Sequence, residues 1–157
     1  MATANTKLHE RENVVPAAQQ PARLIPLVLV VDDNEDMRFM LNTLLRMYGY
    51  DVVEAGDGAE AIRRIESERP DLVLMDGCLP HLDGLAATRR IRELPALGGV
   101  PIVLLSGRAE PSYRASALAA GCDDFLVKPL DFALLKNVLE RHIGASVSGK
   151  REAAAAL

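Results

Sequence analysis

The chain has 157 residues, 49% of them apolar and 25% charged, with a formal net charge of −4. This is the composition of one globular domain with a real core, and it excludes a wholly unstructured chain. The longest apolar stretch, Leu24 to Val31, has eight residues and contains Pro26, whereas a bilayer-spanning helix needs about 20, and the acidic balance argues against direct binding of nucleic acid, which rests on Lys and Arg at phosphates.

Residues 1–25 are polar, rich in Ala and Gln, and broken by Pro16 and Pro21. They read as a flexible leader without a signal-peptide core. A first strand, LVLVV at 27–31, is apolar at successive positions, as in strands buried on both faces. Over 34–48, Met37, Met40, Leu41, Leu44, Leu45 and Tyr48 recur at helical spacing, and Gly49 follows where left-handed backbone ends a helix. DVVE (51–54) is the second strand, and Ala61, Ile62 and Ile65 mark a helix over 57–68 that Pro70 stops. DLVLMD (71–76) is the third strand. Leu85, Thr88 and Ile91 mark a helix over 84–93. PIVLLS (101–106) is the fourth strand, followed by a helix over 112–120 with Ala115, Leu118 and Ala119 as its apolar set. DFLVK (124–128) is the fifth, followed by a helix over 131–143 with Asp131 as N-cap and Phe132, Leu135, Leu139 and Ile143 inward. Residues 144–157 read as a second tail, whose final alanines either prolong that helix or are foreign to the protein.

Five strand–helix pairs predict an α/β fold with a doubly wound parallel five-stranded sheet, a single domain over 26–143. In such sheets the site lies beyond the carboxyl ends of the strands. The polar residues fall there: Asp32 and Asp33 end the first strand, Asp76 the third, Ser106 the fourth, and Lys128 with Pro129 the fifth. Three gathered carboxylates repel one another. An ammonium, Lys128, and a hard divalent cation held by oxygen ligands relieve the repulsion, with Mg²⁺ or Mn²⁺ as the metal. His9, His81, His142, Cys78 and Cys122 show no zinc-ligand spacing. Neither GxGxxG nor GxxxxGK[ST] occurs, so no nucleotide site is expected and a phosphoryl group must come from a donor. The core has eleven arginines and only two lysines, Lys128 and Lys136, which singles out Lys128 as a compact ammonium. Taken alone, Asp32 and Asp33 also read as an N-capping pair, Phe125 as a core aromatic, and Asp123 and Asp124 as turn residues. Cys78 and Cys122 fall at opposite edges, too far apart for a disulfide. A reducing cytoplasm is the expected compartment.

VVDDNEDMR (30–38), LVLMDGCLP (72–80), IVLLSG (102–107) and GCDDFLVKPL (121–130) resemble the receiver domain of two-component response regulators. The resemblance covers residues 26–143 and implies a flavodoxin-like (βα)₅ fold. It implies that Asp76 is the phosphoacceptor, served by a histidine kinase or histidine phosphotransfer protein. Asp33 is then a direct Mg²⁺ ligand, Asp32 holds the ion through water, and the Cys78 main-chain carbonyl and Asp76 complete the protein ligands. Lys128 and Ser106 bind the phosphoryl group, and Ser106 and Phe125 form the switch. Cys78 and Arg108 tune the lifetime of the acyl phosphate, Arg108 by shielding or pairing with the phosphoryl group, although it reads equally as an exposed arginine. Pro129 follows a peptide that is often cis in this family. Apart from its own phosphorylation and dephosphorylation the chain is expected not to be an enzyme. The resemblance also places the output partner, or a second copy in a homodimer, on the face of the fourth helix, fifth strand and fifth helix, where Leu134 and Val138 are candidates. It places the kinase near the first helix, with Met37, Met40 and Leu130 as candidates that read equally as core. No output domain is visible, which suggests a stand-alone regulator or a piece of a larger one. Two competitors remain. An aspartyl-phosphate phosphatase would carry an acid two residues past Asp76, where Cys78 stands, and a scaffold independent of phosphorylation would not need the acid set.

Overall fold

The computed structural model describes residues 23–155, with side-chain surroundings given for 23–144. All but the last three residues of the expected leader lie outside them. Five strands, β1 (Leu27–Val31), β2 (Asp51–Ala55), β3 (Leu72–Asp76), β4 (Ile102–Ser106) and β5 (Asp124–Val127), alternate with five helices. These are α1 (Glu35–Met47), α2 (Gly58–Glu68), α3 (Gly84–Arg92), α4 (Pro111–Ala120) and α5 (Phe132–Ala155). The strands form one parallel sheet in the order β2-β1-β3-β4-β5, the predicted doubly wound architecture.

The sheet is central because its middle strands are apolar on both faces. Side chains alternate along a strand with period two. Leu29, Val31, Val73, Met75, Ile102, Leu104 and Phe125 face one way, packed with Ala61, Ile65, Ala87, Ile91 and Ala117 of α2, α3 and α4. Val28, Val30, Leu72, Leu74, Val103, Leu105 and Leu126 face the other, packed with Leu41 and Leu45 of α1 and with Leu135, Val138, Leu139 and Ile143 of α5. Each fully buried leucine contributes about 1.5–3 kcal/mol. Among the described residues no helix is long and apolar enough to cross a membrane.

Helix starts are set by polar caps that satisfy orphan N–H groups. Asn34 accepts from the Asp36 and Met37 N–H, Asp57 from Glu60, Asp83 from Ala86, and Asp131 from Ala133 and Leu134. Asn34, not Asp32 or Asp33, therefore caps α1, and the two acids are left for another purpose. Gly49 has φ +91° at the predicted turn.

Three helical assignments are corrected. The buried residues of α4 are Ala117 and Ala120, while Ala115, Leu118 and Ala119 face solvent. Val138 is buried in the α5 core and cannot line the outer face, whereas Leu134 is exposed. Phe132 is 43% exposed rather than inward. In addition, α5 continues past residue 143 through Ala155, consistent with the high helix propensity of its alanine-rich end.

The opposite edge of the sheet is held by polar anchors. Arg92 donates to the Gly98, Val100 and Gly121 carbonyls and to Asp123 Oδ2, which also accepts the Ile102 N–H. Asp124 pairs with Arg141 and His142 of α5. Burial pushes the Asp124 carboxyl up, but the His142 hydrogen bond, the Phe125 N–H and Arg141 outweigh it and hold it below the usual range. Asp123 and Asp124 thus lie away from the carboxyl-end site, as predicted.

Candidate functional site

The parallel register brings the carboxyl ends of β1, β3, β4 and β5 to one edge. Val31 pairs with Met75, Asp76 with Leu105, and Ser106 with Val127. Each next residue or side chain at those ends is polar, so the acids and the lysine converge by topology rather than by proximity in sequence.

Asp32, Asp33, Asn34, Met37, Asp76, Cys78, Gly107 and Lys128 line a cleft of about 330 Å³. Asp32 and Asp76 are buried, while Asp33 is exposed at the mouth. Carboxylate oxygens of Asp32, Asp33 and Asp76 lie within 4.8 Å of one another. Lys128 Nζ stands between the buried pair, 3.3 Å from Asp76 Oδ1 and 3.5 Å from Asp32 Oδ2. Among the residues lining the cleft it is the one cation. Asp76 Oδ1 also accepts the Cys78 N–H at 3.1 Å, and Asp32 Oδ1 accepts the Asn34 N–H at 2.9 Å.

Burial pushes the Asp76 carboxyl above the usual carboxylate range. The Cys78 N–H opposes that, the Asp32 charge adds to it, and Lys128 pulls the other way. Asp32 Oδ2 is buried and has no hydrogen-bond partner among the described residues, only the ammonium 3.5 Å away. A buried anionic oxygen so placed costs free energy unless a cation completes its surroundings. The donor set is all oxygen and hard, the chemistry of Mg²⁺ rather than zinc. The residues present therefore fit a divalent cation.

Ser106 is buried at the same edge but does not line the cleft; its neighbour Gly107 does. Its Oγ accepts the Arg108 N–H at 3.0 Å. Arg108 does not reach the carboxylates. Its guanidinium lies over the Tyr113 ring, 4.3 Å from the centroid, and its Nε is 3.6 Å from Glu110. Phe125 is buried in the core, its ring 5.9 Å from that of Tyr113 at an interplanar angle of 71°. The Lys128–Pro129 peptide is cis. Cys78 is exposed and Cys122 buried, and both are free thiols.

Sequence reasoning missed Tyr113, which joins Arg108 and Phe125 and borders, with Ser106, the space that Gly77 leaves. An aromatic in the first turn after the fourth strand's serine was the available signal. It also missed a second cleft, on α1. Phe39 (75% exposed), Met47 (77%) and Phe132 line an apolar groove of about 330 Å³ with Met40, Thr43 and Leu44. Met37, Met40 and Leu130 are half-buried and pack against the core.

Comparison with known proteins agrees with this geometry. Residues 28–140 match the response regulator receiver domain. The chain is 40% identical over 131 residues to the CAI-1 autoinducer sensor kinase/phosphatase CqsS of Vibrio cholerae, covering 83% of this chain and 19% of that protein. It is 42% identical over 110 residues to the transcriptional regulatory protein PrrA of Mycobacterium bovis, covering 70% of this chain and 46% of that one. The matches thus span about a fifth to a half of these curated relatives. Among solved structures, the receiver domain of sensor histidine kinase PA1611 from Pseudomonas aeruginosa PAO1 is 40% identical with a TM-score of 0.71, covering 76% of this chain and 98% of that one. That structure has a magnesium ion coordinated in its active-site cleft. The chemotaxis protein CheY4 of Vibrio cholerae is 30% identical with a TM-score of 0.71, covering 75% of this chain and 98% of that one. The sheet order, the acidic edge and the sequence match together make this chain a member of the response regulator receiver domain family.

Proposed function

We propose that the chain is a phosphorylation-controlled switch in a phosphorelay, taking a phosphoryl group on Asp76 from a histidine kinase or histidine phosphotransfer protein. The observation that carries this is the placement of Lys128 Nζ between Asp76 and the unsatisfied oxygen of Asp32. Asp32, Asp33, Asp76 and the Cys78 carbonyl would hold the cation. When bound, Mg²⁺ supplies neutralisation of charge on the equatorial phosphoryl oxygens. An Asp76 carboxylate oxygen attacks phosphorus, forming the O–P bond as the donor's P–N bond breaks, and the electron pair leaves with the imidazole. Lys128 pairs with one phosphoryl oxygen. The Ser106 hydroxyl moves from behind the cleft to another, and Phe125 and the α4–β5–α5 face follow. The chain turns over no other substrate.

Incubation with acetyl phosphate tests this. Intact mass gains one phosphoryl group in Mg²⁺ and none after EDTA; equal gain without a divalent cation contradicts the proposal. Lack of any gain, with partner binding intact, favours a scaffold.

The exposed aromatics of the α1 groove suit the apolar helices of a phosphohistidine donor, the kinase-side contact. Truncating or charging an anchor in such a patch costs at least about 2 kcal/mol. Phe39→Asp is therefore expected to slow transfer from a phosphohistidine donor at least tenfold while leaving acetyl phosphate labelling unchanged. Equal slowing with both donors contradicts a docking role.

A further inference from the structure

Behind the acidic cleft a chain of polar side chains runs along α1 at positions 38, 42 and 46, one helical turn apart and on one face. Arg46 Nε donates to Asn42 Oδ1 at 2.7 Å, and Asn42 Nδ2 donates to Glu54 Oε2 at 2.8 Å. Glu54 belongs to β2 and lies opposite Val30 of β1. Its other oxygen, Oε1, accepts from Arg38 Nε at 3.2 Å. The chain ends on the backbone of the cleft, where Arg38 Nη1 donates to the Asp32 carbonyl at 2.8 Å. That carbonyl belongs to the peptide joining Asp32 to Asp33, the two acids that follow β1. Bonds on either side of it hold the turn: the Asp32 N–H donates to the Ala55 carbonyl at 3.1 Å, and Asp32 Oδ1 accepts the Asn34 N–H at 2.9 Å.

We propose that Arg38, aimed by Glu54, is a positioning residue for the cation site: it fixes the Asp32–Asp33 peptide so that both carboxylates converge on one ion. This rests on the reading of the cleft as a divalent-cation site. A positive charge beside such a site is unfavourable on electrostatic grounds alone, because it repels the ion. Glu54 cancels that charge, so the pair adds nothing to the net charge behind the cleft, and what it contributes is geometry. The Arg38 side chain is only 18% exposed. Its planar fork holds a carboxylate and a carbonyl in fixed directions at once, which a flexible ammonium does not. Asn42 and Arg46 lock Glu54 from the far side, and a connected network of this kind is stiffer than its separate bonds. Glu35, 3.9 Å from Arg38 Nη2 and almost fully exposed, adds little. Partners of this kind, one step removed from the ligands, typically account for ten- to hundredfold in metal affinity.

The test is the Mg²⁺ affinity of the full 157-residue chain, measured by isothermal titration calorimetry for wild type, Arg38→Gln, Arg38→Gln with Glu54→Gln, and Arg92→Gln. Thermal unfolding in EDTA establishes that each variant is folded at the temperature used. Arg38→Gln should weaken Mg²⁺ binding about tenfold, opposite in sign to the tightening that loss of a nearby positive charge produces. The double variant keeps the wild-type net charge and should be weakened by a similar factor. Arg92 clamps carbonyls at the far edge of the sheet, so Arg92→Gln should lower the unfolding temperature yet change Mg²⁺ affinity by less than about twofold. Unchanged or tighter binding by Arg38→Gln overturns the proposal, and so does wild-type affinity in the double variant. Equal weakening by Arg92→Gln also overturns it, since that marks loss of stability rather than of positioning. Should the Gln variants not fold, Arg38→Lys keeps the charge and loses the fork; it should also bind about tenfold more weakly, and wild-type affinity there overturns the proposal. If wild type binds no Mg²⁺, the reading of the cleft fails and the role of Arg38 fails with it. Wild-type binding with unaffected Arg38 variants removes that role alone.

Discussion

Asp76→Asn is expected to lose phosphoryl uptake entirely, to the background seen without phosphodonor, when wild type and variant are incubated with acetyl phosphate and Mg²⁺ and weighed intact. The substitution is nearly isosteric. The amide oxygen can still accept the Cys78 N–H that Asp76 Oδ1 accepts at 3.1 Å, so the local turn is preserved. What disappears is the anionic nucleophile, and an amide oxygen does not form the acyl phosphate. The neighbours do not substitute for it. Asp32 is buried behind Lys128, and Asp33 stands at the exposed mouth of the cleft, where it would hold a cation. Phosphate on both proteins would move the acceptor elsewhere.

The second large effect is at Lys128. Among the residues lining the cleft its ammonium alone opposes the repulsion of three carboxylates. Lys128→Ala leaves Asp76 and Asp32 facing each other in a buried setting and removes the partner of one phosphoryl oxygen. Losing a preorganised charge of this kind costs about 10²–10³ in rate, so labelling by acetyl phosphate should slow by about that factor. Lys128→Arg is not a rescue, because a planar guanidinium does not fit where a compact ammonium stands 3.3 and 3.5 Å from two separate carboxylates. Lys136 is the internal control. It lies over the Tyr48 ring at 5.5 Å, and Lys136→Ala should label at the wild-type rate. A Lys128→Ala variant labelled as fast as wild type contradicts the role given to the ammonium.

The fold was legible because the signals that specify it are repeated and strong. LVLVV, LVLMD and IVLLS are apolar at nearly every position, which a strand buried on both faces requires and a surface strand does not. Legibility failed where contrast was low. In α4, seven of ten residues are Ala, Ser or Pro, so no apolar stripe stands out. The true inward set, Tyr113, Ala117 and Ala120, is fixed by what α4 packs on rather than by its own composition. In α5, Val138 continues the 135, 138, 139 stripe, while Phe132 lies in the first turn, where the groove with α1 leaves it partly open.

The acidic site was legible for a topological reason: a parallel sheet gathers the carboxyl ends of its strands, so Asp32, Asp33, Asp76 and Lys128 could be brought together on paper. Their capping alternative was closed only by the structure, in which Asn34 takes the cap. Two features were not legible. Arg108 was expected to shield or pair with a phosphoryl group; without one, its guanidinium lies over a tyrosine ring five residues on and beside the Glu110 carboxylate. Tyr113 carries no motif, and its relation to Ser106 exists only because Gly77, thirty-six residues earlier, leaves the space.

The most direct test is a crystal structure of the chain with Mg²⁺ and beryllofluoride. Beryllium bonded to an Asp76 oxygen is predicted, with Lys128 Nζ and Ser106 Oγ each within hydrogen-bond distance of a fluorine and the metal on Asp33, Asp76 and the Cys78 carbonyl. Beryllofluoride on another side chain, or on Asp76 with Lys128 and the metal turned away, would contradict it.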